Sequence, residues 1–163
     1  MRHLALAGAY AALLAACSAS IEVTLTDEEK AAIAAEVDSI CDQVWYPIWE
    51  ALDLDRGLSM IVDAPETAWV WENSVIYTRA GIDEAFRPGI AGLQRQQFKF
   101  PESHTVVLAP DVVYTIRAGS YFVVDETGEN GPDVPFAETT VWVKRNGEWK
   151  VLQGHGSELR EPA

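Results

Sequence analysis

The last apolar run of the chain carries side chains suited to acid–base chemistry. Residues 149–157 are predicted to form a strand, and because side chains alternate along a strand, Gln153, His155 and Ser157 are expected to share one face. Glu138 lies on the preceding predicted strand. A carboxylate that approaches an imidazole across a sheet can polarise it, so His155 and Glu138 are candidates for an acid–base pair.

Two further charged residues are candidates for the same chemistry. Arg117, on a long predicted strand, could stabilise a developing negative charge, and Glu72 is a second acid that could pair with His155. Each residue also has a structural interpretation. His155 could be a histidine fixed by hydrogen bonds, and Glu138 could be a solvated strand residue or an ion-pair partner for Arg117.

The elements that must position these residues begin with a helix. Thr26 and Glu29 have the spacing of a capping box, and the apolar residues that follow recur at steps of three and four as far as Leu52. Pro47 interrupts this stripe because it lacks a donor and crowds the carbonyl of Gln43. The pattern predicts a helix with a kink near residues 43–47, or two short helices.

The rest of the chain reads mainly as sheet. Two β-rich runs flank Asn73-Ser74 and predict a hairpin, and residues 82–95 are a weaker helix. Strands are expected at 104–108, 112–125, 136–145 and 149–157. Helices followed by three long antiparallel strands indicate an α+β domain. Both side-chain parities of 112–125 carry apolar residues, so we expect helices on one face and either a partner subunit, as in a homodimer, or partial cover on the other.

Two stretches resemble a known family. Asp111–Tyr121 is similar to the middle strand, and Asn146–Ser157 to the last hairpin, of the SnoaL-like branch of nuclear transport factor 2-like domains. In that hairpin Gly-x-Trp opens the strand and His-x-Ser closes it. The resemblance implies a cone in which a curved, mostly antiparallel sheet wraps over N-terminal helices. It covers residues 26–158, with 159–163 as a tail.

The resemblance also implies a pocket between helices and sheet, which the family uses for catalysis or for binding alone. The six tryptophans indicate an aromatic cavity. We expect the protein to bind a small apolar or aromatic ligand with no assigned reaction; the alternative is an isomerase, cyclase or hydrolase that uses His155 with a pocket carboxylate. The expected lining residues are Trp45, Trp49, Trp69, Trp71, Tyr77, Tyr114, Tyr121, Trp142, Gln153 and Ser157.

The first residues predict the location of the protein. Arg2 precedes a short apolar run that ends in Leu14-Ala15-Ala16-Cys17, which resembles the lipobox of bacterial lipoproteins. Residues 1–16 are therefore expected to be a signal peptide, Cys17 to carry lipid such as palmitate, and residues 17–25 to be a tether. The expected address is the bacterial cell envelope, on the periplasmic face of the outer membrane, with the lipid as the membrane contact.

Charge and composition narrow the remaining partners. The formal net charge of −13 disfavours binding to nucleic acid. His104 and His155 lie on different predicted strands without a cluster of ligands, so no metal is expected, and nothing in the sequence points to another cofactor.

Overall fold

The computed structural model describes residues 24–71 and 73–159 of the 163-residue chain. The helices are α1 (Asp27–Ile40), α2 (Tyr46–Glu50), α3 (Leu54–Ser59) and α4 (Arg79–Ile90). The strands are β1 (Ala68–Trp71), β2 (Ser74–Ile76), β3 (Leu93–Ala109), β4 (Val112–Asp125), β5 (Val134–Arg145) and β6 (Glu148–Glu158). The expected signal peptide, the lipid attachment at Cys17, and Glu72 lie outside the described residues.

The first helical segment begins and breaks where the sequence predicts. The Thr26 side chain accepts from the Glu29 backbone while the Glu29 side chain accepts from that of Thr26, so the capping box is confirmed. A π-helical turn, Cys41–Trp45, joins α1 to α2, and the backbone N–H of Tyr46 donates to the carbonyl of Cys41, five residues back. This wider turn lets the helix continue into Pro47, which cannot donate to the carbonyl of Gln43.

The six strands form one curved, open sheet in the order β2-β1-β6-β5-β4-β3, and the fold is α+β. All neighbouring strands are antiparallel except β1 and β6, which are parallel. The predicted hairpin around Asn73-Ser74 is confirmed as β1–β2. On the inner face, side chains of β4 and β5 pack against the helices; they include Val113, Thr115, Phe136, Thr140 and Trp142.

The predicted boundary between the fourth helix and the third strand was wrong. Helix α4 spans Arg79–Ile90 and contains Pro88, whereas the prediction extended the helix to residue 95. Gly92, with a φ of 81°, is in the left-handed conformation that commonly follows a helix. Strand β3 then runs from Leu93, eleven residues before its predicted start, and pairs with β4 along its length.

A bulge in β6 overturns the predicted face of the last strand. Val141 pairs with Gln153 and Trp142 with Val151, so Leu152 is an extra residue in β6. The inward parity therefore changes after Val151: Trp149 and Val151 are buried, but farther along the strand the two glycines, Gly154 and Gly156, face inward.

The outer face of the sheet carries some apolar side chains. Ile116 is exposed on this face and Tyr114 is half-buried, whereas their neighbours Thr115 and Arg117 are buried on the inner face. The homodimer expected to cover the outer face stays a prediction. None of the helices formed by residues 24–71 and 73–159 has the length and apolar character needed to cross a bilayer.

Candidate ligand-binding site

A partly open cavity of about 430 Å³ lies between the helices and the inner face of the sheet. This volume falls in the range of ~300–1,000 Å³ typical of small-molecule sites. Aromatic and aliphatic side chains make up most of its wall. The lining residues are Trp45, Tyr46, Trp49, Trp69, Trp71, Ser74, Ile76, Ala85, Phe86, Gly89, Ile90, Leu93, Gln96, Phe98, Tyr121, Val123, Phe136 and Glu138.

The π-helical turn and α2 supply one wall of the cavity. Trp45, Tyr46 and Trp49 are all buried, and positions spaced in this way lie within about 100° of one another around a helix. The three rings therefore lie on one side of this segment and form a wall of the cavity. The Gln96 side chain donates to the Trp49 carbonyl at 2.8 Å and ties α2 to β3.

Strand β1 supplies another wall, with its two indoles packed across the glycines of β6. Trp69 pairs with Gly154 and Trp71 with Gly156 along the parallel β1–β6 pair. A Cβ atom on Gly154 would lie 2.4 Å from the Trp69 ring, and one on Gly156 would lie 2.6 Å from the Trp71 ring. The two glycines therefore leave the space in which the indoles cross β6 and reach the cavity.

The aromatic rings meet mostly edge to face or at a tilt, so they enclose space. The Trp45 and Trp49 ring centroids are 5.3 Å apart at 74°, and those of Trp71 and Phe86 are 5.5 Å apart at 69°. Trp69 also meets Phe86 at 83°. The indole N–H groups of Trp49 and Trp69 are buried and have no hydrogen-bond partner among the described residues.

Glu138 is the ionisable side chain that β5 places in this cavity. It is 7 % exposed, and its Oε2 accepts a hydrogen bond from the Tyr46 hydroxyl at 2.9 Å. Burial raises the pKa of Glu138 from 4.5 to about 7, and the opposing effects of Tyr46, the neighbouring Trp45 indole and the Arg117 charge offset only part of that rise. The carboxyl group is therefore able to gain or lose a proton near neutral pH.

Tyr46 holds the carboxylate in place. Burial, followed by the nearby Glu138 charge, raises the pKa of the Tyr46 hydroxyl far above its usual range, so the phenol stays protonated and remains a donor to Glu138. Its ring also packs against Phe98 and Phe100, with centroids 5.5 and 4.7 Å away.

Arg117 lies behind this pair and does not line the cavity. It is 6 % exposed, its guanidinium lies 5.5 Å from the Tyr46 ring centroid, and its terminal nitrogens donate to Asp42 at 2.7 Å and Asp38 at 3.2 Å. Arg117 and Glu138 are opposite each other in the β4–β5 register. The guanidinium nonetheless pairs with the two aspartates of the helical segment, so the predicted ion pair with Glu138 was wrong.

The predicted pairing of His155 with Glu138 was also wrong. His155 is exposed and pairs with Thr139 and Val70, whereas the residue opposite Glu138 on β6 is Gly156. The bulge at Leu152 is the physical reason, because it turns Gln153, His155 and Ser157 away from the inner face. All three are exposed, and none lines the cavity.

The other predicted lining residues divide into two groups. Trp45, Trp49, Trp69, Trp71 and Tyr121 line the cavity. Trp142 does not line it, because it is buried against Trp45 and donates from its indole to Thr140 at 2.9 Å. Tyr77, which is 69 % exposed, and the half-buried Tyr114 of the outer face also lie away from it.

Sequence reasoning missed several lining residues. Tyr46 follows Trp45 directly, and Phe136 lies two residues before Glu138 on the same predicted strand. Phe86 lies on the apolar side of the predicted helix 82–95, so the sequence contained a signal for all three. The signal for Phe98 was weaker. Polar and apolar residues alternate in Gln96-Gln97-Phe98-Lys99-Phe100, but this stretch lies between the predicted helix and the next predicted strand. The Tyr121 hydroxyl donates to Glu158 on β6, a carboxylate that no sequence pattern marked.

Neither a metal site nor a reactive thiol emerges from the described part of the chain. No group of three or more histidine, cysteine, aspartate or glutamate side chains there is placed to hold a metal ion. Cys41 is fully buried in the core, and burial raises the pKa of its thiol to about 12. A thiol in this state is a small apolar side chain and a poor nucleophile.

The sequence agrees with a family model over most of its length. The model of the SnoaL-like domain matches residues 37–161, which include every cavity-lining residue. The chain belongs to the SnoaL-like family. Among curated proteins, none matches this SnoaL-like chain.

Solved structures show the same fold at low sequence identity. A dehydratase candidate of the nuclear transport factor 2-like family from Streptomyces avermitilis has a TM-score of 0.66 and 17% identity over 78% of this chain and 98% of its own. A nuclear transport factor 2-like protein from Salmonella enterica has a TM-score of 0.65 and 18% identity over 82% and 95%. A hexachlorocyclohexane dehydrochlorinase has a TM-score of 0.64 and 14% identity over 82% and 89%. These similarities establish the nuclear transport factor 2-like fold of this SnoaL-like domain.

Proposed function

We propose that this SnoaL-like domain binds a small, mainly apolar or aromatic molecule in the cavity, with a polar group of that molecule against Glu138. The observation that carries the proposal is the 430 Å³ aromatic cavity with a buried carboxylate in its wall. Apolar walls supply affinity through the area that they remove from water, and a few fixed polar groups supply orientation. Here those polar groups are Glu138 and the Tyr46 hydroxyl.

Acid–base catalysis in the same cavity is the second candidate. It is favoured by the pKa of Glu138, which burial raises to about 7, the range in which a carboxylate works best as a general base at neutral pH. Such catalysis also needs a donor for the negative charge that develops on the substrate. The Tyr46 hydroxyl donates to Glu138 and the Tyr121 hydroxyl to Glu158, so neither of these two phenols is left to serve as that donor. This arrangement favours the binding function.

The binding proposal predicts that a blocked cavity loses its ligand. Ala85 lines the cavity from α4, and its neighbour Glu84 does not. Small aromatic molecules are expected to quench tryptophan fluorescence and raise the melting temperature of the wild type. Ala85→Phe is expected to weaken this binding at least ~10-fold because the added ring occupies the cavity, and Glu84→Phe is expected to leave it unchanged.

The probes are a panel of neutral, cationic and anionic aromatic molecules of about ten to fifteen non-hydrogen atoms, which suit a site of this size. Tryptophan quenching and thermal shift are measured for the full chain and both variants. Binding that Ala85→Phe leaves intact would place the ligand elsewhere. A panel without any response in the wild type would remove the proposed function.

We further propose that Cys17 carries lipid and anchors the domain to the bacterial envelope. The chain has two cysteines, and Cys41 is buried in the core, which makes Cys41→Ala a matched control for Cys17→Ala. Two or more acyl chains hold a protein firmly on a membrane. In a bacterial host, we expect the wild type and Cys41→Ala to incorporate labelled palmitate and fractionate with membranes, and Cys17→Ala to do neither. A mass that shows residues 1–16 retained without acylation would contradict the anchor.

A further inference from the structure

We propose that the ligand carries a positively charged amine or quaternary ammonium group, which lies against Glu138 within the aromatic walls. This inference rests on the proposed binding function and specifies the chemical class of its ligand. Three observations carry it: the kind of ring that surrounds the cavity, the charge of its lining, and the partners of the nearest positive side chain.

Tryptophan dominates the walls of the cavity. Four indoles line it, from Trp45, Trp49, Trp69 and Trp71, together with rings of phenylalanine and tyrosine. The indole face attracts cations more strongly than the other aromatic side chains do, and cages of such rings bind quaternary ammonium groups. Because neighbouring rings meet at steep angles here, different rings approach a guest from different directions.

Among the described residues, no positive side chain forms a salt bridge with Glu138. Among the described lining residues, Glu138 is the charged one. A buried carboxylate normally requires a partner, since burial without one is costly. A cationic ligand would supply that partner.

Arg117, the positive side chain that acts on Glu138, already forms ion pairs with other residues. Its guanidinium forms ion pairs with Asp38 and Asp42, so this group of one positive and two negative side chains has an excess of negative charge. Asp38 also accepts a hydrogen bond from the Thr105 hydroxyl at 2.6 Å. Arg117 therefore lowers the pKa of Glu138 without neutralising its charge.

The groups that face Glu138 allow a clear pH test. They are Tyr46 on α2, Trp45 and Cys41 in the π-helical turn, and Arg117 on β4; Gly156 on β6 has no side chain. The tyrosine and cysteine stay neutral near pH 7, because burial raises the pKa of each. Glu138 is thus the group expected to titrate between pH 5.5 and 8. A cation would bind its ionised form, whereas a neutral acceptor would bind its protonated form.

The test uses benzyltrimethylammonium and its uncharged carbon analogue, neopentylbenzene, which have the same shape. Affinities for the full chain are measured by tryptophan quenching at pH 5.5 and pH 8. We expect the cation to bind at least ~10-fold more tightly than the analogue at pH 8 and to gain roughly 10-fold between the two pH values. The neutral analogue is expected to show a flat or falling profile.

Glu138→Gln keeps the shape of the side chain and removes its charge. We expect this variant to lose at least ~10-fold in affinity for the cation and to keep its affinity for the analogue within about threefold. Equal or tighter binding of the analogue by the wild type, or a cation affinity that falls as the pH rises, would overturn the inference and leave the binding function standing. If neither probe nor any member of the aromatic panel binds, the proposed function falls and the inference falls with it. The pH profile of the wild type decides the matter even if the variant folds poorly.

Discussion

Glu138→Gln raises the free energy of unfolding at pH 8 by about 3 kcal/mol and changes it by less than about 1 kcal/mol at pH 5. Burial raises the pKa of Glu138 to about 7 in the folded protein, above the ordinary value of 4.5. The folded state therefore holds this proton more strongly than the unfolded chain does. Stability is lost as the pH rises from 4.5 through 7, and the loss is complete above the folded pKa.

Glutamine does not titrate, so the variant escapes this loss and its advantage grows with pH. The measurement is urea unfolding of wild type and variant at both pH values, with the difference between them compared across pH. Glu102→Gln, at an exposed position on β3, is the control and is expected to show no such growth. An equal effect of Glu138→Gln at both pH values would show that the carboxyl is not destabilised by burial.

Trp45→Ala lowers the free energy of unfolding by about 3–5 kcal/mol, the usual cost of removing a large buried aromatic side chain. Trp45 is 1 % exposed, and its ring centroid lies 5.3 Å from that of Trp49, 6.3 Å from that of Trp69 and 5.6 Å from that of Trp142. Its removal leaves all three indoles without a shared neighbour. Chemical denaturation followed by circular dichroism measures the loss.

Tyr77→Ala is the matched control, because Tyr77 is an aromatic residue that is 69 % exposed. Surface substitutions of this kind usually change stability by less than about 0.5 kcal/mol. A loss below about 1 kcal/mol for Trp45→Ala would mean that this indole is not the centre of the helix–sheet packing. If Trp45→Ala does not fold, Trp45→Phe is expected to show a smaller loss in the same direction.

Short sequence patterns predicted much of the fold, because helix caps, turns and proline effects depend on residues that are close together in the chain. Thr26 and Glu29 satisfy each other's backbone donors, so three residues of spacing were enough to place the start of α1. Two polar residues between β-rich runs were enough for the β1–β2 hairpin. Pro47 marked the interruption of the helix, although the sequence did not show that a π-helical turn would absorb it.

The site was predicted less well because it depends on the parity of one strand. A single extra residue, Leu152, reverses the faces that follow it, and strict alternation therefore placed His155 on the wrong side. The sequence did contain a signal for the correct face, because Gly154 and Gly156 flank His155. Two glycines at alternate positions indicate a face that other side chains cross, and here Trp69 and Trp71 cross it.

The inner face of β5 contains no such bulge before Glu138. Phe136, Glu138, Thr140 and Trp142 alternate along this strand and are all buried on its inner face. What the sequence could not supply was the partner of Glu138. Tyr46 is 92 residues away in the chain, and it reaches the carboxylate from the first residue of α2, directly after the π-helical turn.

The ionisation of Glu138 tests the central claim most directly. Carbon-13 NMR of glutamate side-chain carboxyl groups in the full chain, with Glu138→Gln used for assignment, gives the titration of this residue alone. A buried carboxyl group in an apolar cavity is expected to titrate near pH 7, and to shift to lower pH when benzyltrimethylammonium is present. A midpoint near 4.5 that the cation does not move would show a solvated carboxylate outside any binding cavity, and would contradict the account.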